Sequence, residues 1–164
     1  MSYTRLLSAL ALLAGIVFAQ APPAAVLAVQ GDIATPLSLT ADDLAKMPRE
    51  TVSVPAPDGT KIVYEGVTLL AVLQKAGAPF GKQLRGKVLS SYVLAKAMDG
   101  YQVVFTLGEL DPDFGNESIL VADKRDGKPM GEKQGPFRLV CPNDHEGARS
   151  VRMLQTLEVV RLAK

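Results

Sequence analysis

A chain of 164 residues with 18 lysines and arginines against 17 acids has a formal net charge of +1, so it lacks the dense basic stripe that neutralises nucleic-acid phosphates. Its single cysteine excludes an intramolecular disulfide framework, and the absence of tryptophan with few other aromatics argues against a stacking platform for bases or sugars. Folding must rest on packing, and the length suits one domain with a real core.

In chain order, Arg5 precedes an apolar run over residues 6–19, and Val17-Phe18-Ala19 offers small residues at cleavage spacing. The expectation is a secretory signal peptide over 1–19 and one domain over 20–164. The apolar run is shorter than the roughly 20 residues of a membrane span, so no stable span remains after cleavage. Thr4-Arg5-Leu6 carries one arginine, which points to the Sec route and a periplasmic or secreted location.

Residues 25–29 are apolar and predict a first strand. Thr40-Ala41-Asp42-Asp43 predicts a helix start with Thr40 as cap, closed soon after by Pro48. Residues 52–55 and 61–64 flank Pro57-Asp58-Gly59, a hairpin signal. Residues 68–76 form the clearest helix, with Leu69, Leu70 and Leu73 on its apolar face and Gly77 as a left-handed cap. Strands over 89–97 and 101–106 surround Asp99-Gly100, and 107–110 reads as one helical turn before Pro112. Strands at 119–123, 137–141 and 151–161 complete the set, with a turn at Asp126-Gly127. No repeat or linker interrupts the chain, and the mixed order implies an α+β domain, mostly mixed β with a few short helices.

The most informative stretch is Gly135-Pro136-Phe137-Arg138-Leu139-Val140-Cys141-Pro142, followed by Gly147-Ala148-Arg149-Ser150-Val151-Arg152. It reads as a strand, a polar loop, a glycine-opened turn and another strand. Gly147 and Ala148 let a bulky ligand approach the backbone. Arg149 and Arg152 offer planar, multidentate donors to an anionic, heteroaromatic or phosphorylated group. The plainer alternative makes both arginines surface ion-pair partners, with Glu146 and Glu158 available. Cys141, Asp144 and His145 are acceptable ligand types for zinc or copper. Three near-contiguous residues beside a proline seldom converge on one ion, so the expectation is no metal, a buried Cys141 and a solvated His145. Asp99 and Glu109 could pair for acid–base work, but a turn and a helix surface explain them better.

These residues resemble the pterin-binding segment of the sulfite oxidase family, whose members carry an oxidoreductase molybdopterin-binding domain. In that family a Gly-Ala-Arg-x-Val-Lys-like stretch follows a Gly-Pro-x-Arg-Leu-Val-x-Pro strand; here Arg152 stands for the lysine. Tyr64-Glu65-Gly66-Val67-Thr68-Leu69-Leu70 resembles the family's Gly-Val-x-Leu helix start. Ala97-Met98-Asp99-Gly100-Tyr101 is similar to its Asp-Gly-Tyr hairpin, and Leu120-Val121-Ala122 with Asp126-Gly127-Lys128-Pro129 to its next strand and turn. The resemblance implies the sulfite oxidase-like fold and molybdopterin held by Gly147, Ala148, Arg149, Ser150, Val151 and Arg152. It also implies a molybdenum-ligating cysteine just before the Gly-Val-x-Leu helix. Between Gly31 and Gly66 there is no cysteine or histidine, only Thr51, Ser53 and Asp58, and Arg49 alone stands for the family's arginine-rich pocket. The alternative expectation is therefore a cofactor-free periplasmic module that binds a small anion or a protein partner.

Overall fold

The computed structural model describes residues 25–162; the segment read as a signal peptide lies outside them. Among the described residues, ten strands form two five-stranded sheets. The first sheet runs β2 (Leu37–Leu39), β1 (Leu27–Gly31), β10 (Leu154–Arg161), β5 (Ser91–Ala97) and β6 (Gln102–Thr106). β1 lies parallel to β10 and the other neighbours are antiparallel, so the sheet is mixed. The second sheet is antiparallel: β3 (Glu50–Pro55), β4 (Lys61–Thr68), β7 (Leu120–Arg125) and β8 (Lys128–Pro129), with β9 (Arg138–Val140) also on β7.

Three short helices occupy connections. α1 (Ala41–Ala45) starts at Thr40, whose hydroxyl accepts from the Asp43 amide while the Asp43 carboxylate accepts from the Thr40 amide. α2 (Leu69–Lys75) follows β4 directly because Thr68 ends the strand and caps the helix, its hydroxyl accepting from the Ala71 amide. Leu69, Val72 and Leu73 of α2 are fully buried, each contributing about 1.5–3 kcal/mol of apolar transfer. Gly77 follows at φ 75, the left-handed position its lack of a side chain suits. α3 (Leu107–Leu110) repeats the cap of α1, with Thr106 and Glu109 as the reciprocal pair.

The main core draws residues from both sheets and from α2 and α3. A smaller apolar cluster of Tyr64, Leu120, Ala122 and Val140, with Val52, Val54 and Ile62 against it, covers the other face of the second sheet. The pleat sorts the two. Val121 and Leu139 enter the main core, and their neighbours Leu120, Ala122 and Val140 enter the second cluster.

Several expected boundaries move, β4 running on to Thr68 and β3 starting at Glu50. β1 begins at Leu27, and β5 begins at Ser91 after a 3₁₀ turn over Gly86–Ser90. β10 begins at Leu154, not at residue 151. Met153 sits at φ 48, and its amide and carbonyl are taken by Gln134 and Met98, which withdraws residues 151–153 from the ladder.

Candidate functional site

The outer face of the second sheet opens into a cleft of about 820 Å³, within the size range of small-molecule sites. Val54, Pro55, Pro57 and Ile62 from the β3–β4 hairpin form one wall, and residues 140–145 with Gly147 form another. Across the Gly147 turn lies a smaller cleft of about 260 Å³, which reaches Asp99 and Tyr101. Gly147, Ser150 and Arg152 border both.

Arg125, Arg138 and Arg152 line the larger cleft. Arg138 is the most constrained. Phe137 and Leu139 on either side point into the core, so alternation sends Arg138 to the cleft face beside Val140. Its guanidinium lies 5.2 Å from the Tyr64 ring centroid and donates to the Gln134 amide oxygen. Its Nε is buried with no hydrogen-bond partner, and among the described residues neither Arg138 nor Arg152 has a carboxylate in reach. Burial, and after it the like charges of Arg152 and Arg125, push the Arg138 pKa below the usual guanidinium value. Arg125 is paired with Asp126 at 3.3 Å. The cleft therefore gathers three guanidiniums with two left uncompensated, an arrangement that favours an anion.

The fold splits the six residues expected to hold a cofactor. Gly147, Ala148, Ser150 and Arg152 border one or both clefts. A side chain built on Gly147 would meet nothing within 4 Å, so the turn is open to a ligand there. Val151 is wholly buried and its carbonyl accepts from the Leu139 amide. Arg149 lines neither cleft. Its Nε and Nη2 donate to both Asp144 oxygens at 2.8 and 2.7 Å, its Nη1 donates to Glu109 at 2.8 Å, and it lies 5.2 Å from the Phe105 ring centroid. Its ion-pair partners are thus Asp144 and Glu109 rather than Glu146 and Glu158; Glu158 pairs with Lys96 across β10 and β5. Asp99 accepts from the Tyr101 amide in the hairpin turn, whereas Glu109 accepts from the Thr106 amide and from Arg149.

The metal candidates meet the same test. Cys141 is 7% exposed on the cleft wall; burial first, then the Asp144 charge, pushes its thiol up to about 12. His145 is exposed on the rim, and the Asp144 carboxylate is held below the usual range by its hydrogen bonds from Arg149. Among the described residues no three His, Cys, Asp or Glu side chains gather around a common point. Thr51, Ser53 and Asp58 do not line the cleft, and Asp58 is spent on the turn, accepting from Thr60. Arg49 is held by Asp123 through bonds of 2.8 and 2.6 Å.

Residues 58–163 match the family model described as the oxidoreductase molybdopterin binding domain. The chain belongs to that family. Its fold is the sulfite oxidase-like molybdopterin-binding fold, as shown by its similarity to the sulfane dehydrogenase SoxCD from Paracoccus pantotrophus. The two superpose with a TM-score of 0.63 at 21% identity, over 82% of this chain and 38% of that one. The chain thus spans less than two-fifths of that protein, and the likeness speaks for fold alone. No curated protein matches.

The cleft of this molybdopterin-binding domain fits the anionic, hydrogen-bonding periphery of a phosphorylated pterin, because Arg138 and Arg152 line it and, among the described residues, neither has a carboxylate partner. Protein thiolate ligation fits less well: Cys141 supplies the one sulfur on the wall, as a buried neutral thiol. Arg138 escaped selection as a site residue at the sequence level, although a signal existed. A charged residue alternating between buried Phe137 and Leu139 on a short strand has to face something other than the core.

Proposed function

We propose that this family member binds molybdopterin in the larger cleft. Arg138 and Arg152 meet its phosphate and polar edges, and Gly147 admits its bulk. The observation that carries the reading is the half-buried Arg138 guanidinium, which lines the cleft beside Arg152 with no carboxylate partner for either among the described residues. Bound molybdopterin supplies a molybdenum centre for oxidoreductase chemistry. The chain's own groups bind and orient. Tyr64 holds the Arg138 guanidinium against its ring, and Val54, Pro55 and Ile62 keep one wall apolar. The Cys141 thiol, pushed up to about 12, keeps its proton at neutral pH. In this reading the protein is exported, and 1–19 is the signal that directs it.

One observation favours a second reading. The β3–β4 wall presents Val54, Pro55, Pro57 and Ile62, none of them a soft metal ligand. On that basis the chain serves as a cofactor-free periplasmic module, and the same arginines take a small anion or an acidic partner.

Full-length protein, expressed with its own N-terminus and recovered from the periplasm, separates the two. Molybdenum near one per chain by plasma mass spectrometry supports the first reading. Metal-free protein that binds inorganic pyrophosphate by calorimetry supports the second. Metal-free protein that binds no pyrophosphate sinks both.

A further inference from the structure

The Gly147–Arg149 turn forms part of the cleft border, yet its arginine points elsewhere, into a cluster with two carboxylates. That cluster holds one guanidinium and two carboxylates, so its net charge is −1. Placed beside a cationic cleft, it opposes an anion electrostatically. Resting on the reading of the cleft as an anion site, we propose that Arg149 is a positioning residue: by joining Asp144 to Glu109, it holds the 141–150 loop at the distance from β7 and β9 at which the cleft accepts its ligand.

The geometry supports a clamp. Asp144 belongs to the loop and Glu109 to α3, and the Phe105 ring under the guanidinium belongs to β6 in the other sheet. One side chain therefore ties the loop to two elements that the core has already fixed: Phe105 is fully buried, and Leu107 and Leu110 anchor α3. The fork shape matters, since both Asp144 oxygens and one Glu109 oxygen are met at 2.7–2.8 Å by three different nitrogens. Two further ties flank it. The Cys141 amide donates to the Ser150 hydroxyl at 3.0 Å, and the Tyr101 hydroxyl donates to the Ala148 carbonyl at 2.9 Å. Without the clamp the middle of the loop would keep one side-chain tie, from the Asn143 amide nitrogen, which donates to Glu117 at 3.2 Å.

Charge and position make opposite predictions, which permits a clean test. Asp144→Asn removes a negative charge from the cleft border, so electrostatics alone predicts tighter pyrophosphate binding. Glu109→Gln also removes a charge, and it retains an acceptor for the Thr106 amide that caps α3. Positioning predicts that both variants of the full chain bind inorganic pyrophosphate about tenfold more weakly by calorimetry. It predicts that amides at 143–150 exchange about tenfold faster while the sheet amides do not. Arg149→Lys should rescue only in part, because a point charge cannot span both carboxylates. Equal or tighter binding in Asp144→Asn, with exchange unchanged, overturns the proposal. If the unaltered chain binds no pyrophosphate, the anion reading fails by itself. Loop exchange then judges the clamp alone, and unchanged exchange in both variants sinks it.

Discussion

A guanidinium that is half-buried gives up hydration, and Arg138 recovers only the bond to Gln134 and the face of Tyr64 in return. Removing such a group relieves the fold while it harms the site. Arg138→Gln should leave thermal stability unchanged or raise it by up to about 1 kcal/mol, because an uncompensated charge disappears. The same change should weaken pyrophosphate binding at least about tenfold by calorimetry. A large loss of stability with binding intact would make Arg138 a structural residue instead. Cys141 permits a second test at this scale. Its thiol, pushed up to about 12, stays protonated and buried at pH 8, so a disulfide reagent should label the native chain far more slowly than the chain in guanidinium. Rapid labelling of native protein would show a thiolate exposed to the cleft. The sequence made the glycine-opened turn and Arg152 visible as site features because their neighbours in the chain define them. Arg149 was not separable from Arg152 by residue type. Its role depends on Glu109, forty residues away in the chain, and no local pattern carries that distance.

At the scale of elements, the second sheet depends on close backbone approach at one point. Gly66 lies where the β4–β7 register shifts, and a Cβ there would sit 2.1 Å from the Val121 carbonyl oxygen. Gly66→Ala should cost about 3 kcal/mol in denaturant unfolding, since the obstructing atom is backbone of the neighbouring strand. Gly147→Ala is the control; with open space around it, the change should be within about 0.5 kcal/mol. Equal effects at the two glycines would refute the assignment of strain to Gly66. The helices and hairpins were legible because local chemistry defines them: Thr40 caps, Gly77 terminates, and Asp126-Gly127 turns with both residues at positive φ, although the caps at Thr68 and Thr106 were not read. The three-residue β2 was not legible, being too short for alternation to register. Nor was the late start of β10, which rests on Gln134 and Met98 taking the Met153 backbone.

For the whole molecule, the most consequential pairing joins distant parts of the chain. β10 lies between β1 and β5, bonded to both, and supplies Leu154, Leu157 and Val159 to the core. No hairpin can form it, so the first sheet closes only after the last strand arrives. Deleting residues from 154 onward should abolish cooperative melting by circular dichroism; a truncated chain that still melts cooperatively would show that the sheet closes without β10. The two apolar clusters on opposite faces of the second sheet have a further consequence. The main core that holds the sheets together and the cleft lining share strands, but of the main-core residues only Cys141 also lines the larger cleft. Substitutions at the exposed lining, at His145 or Arg152, are screened less by foldability than those in either cluster, so chemistry can drift there while the scaffold is inherited intact.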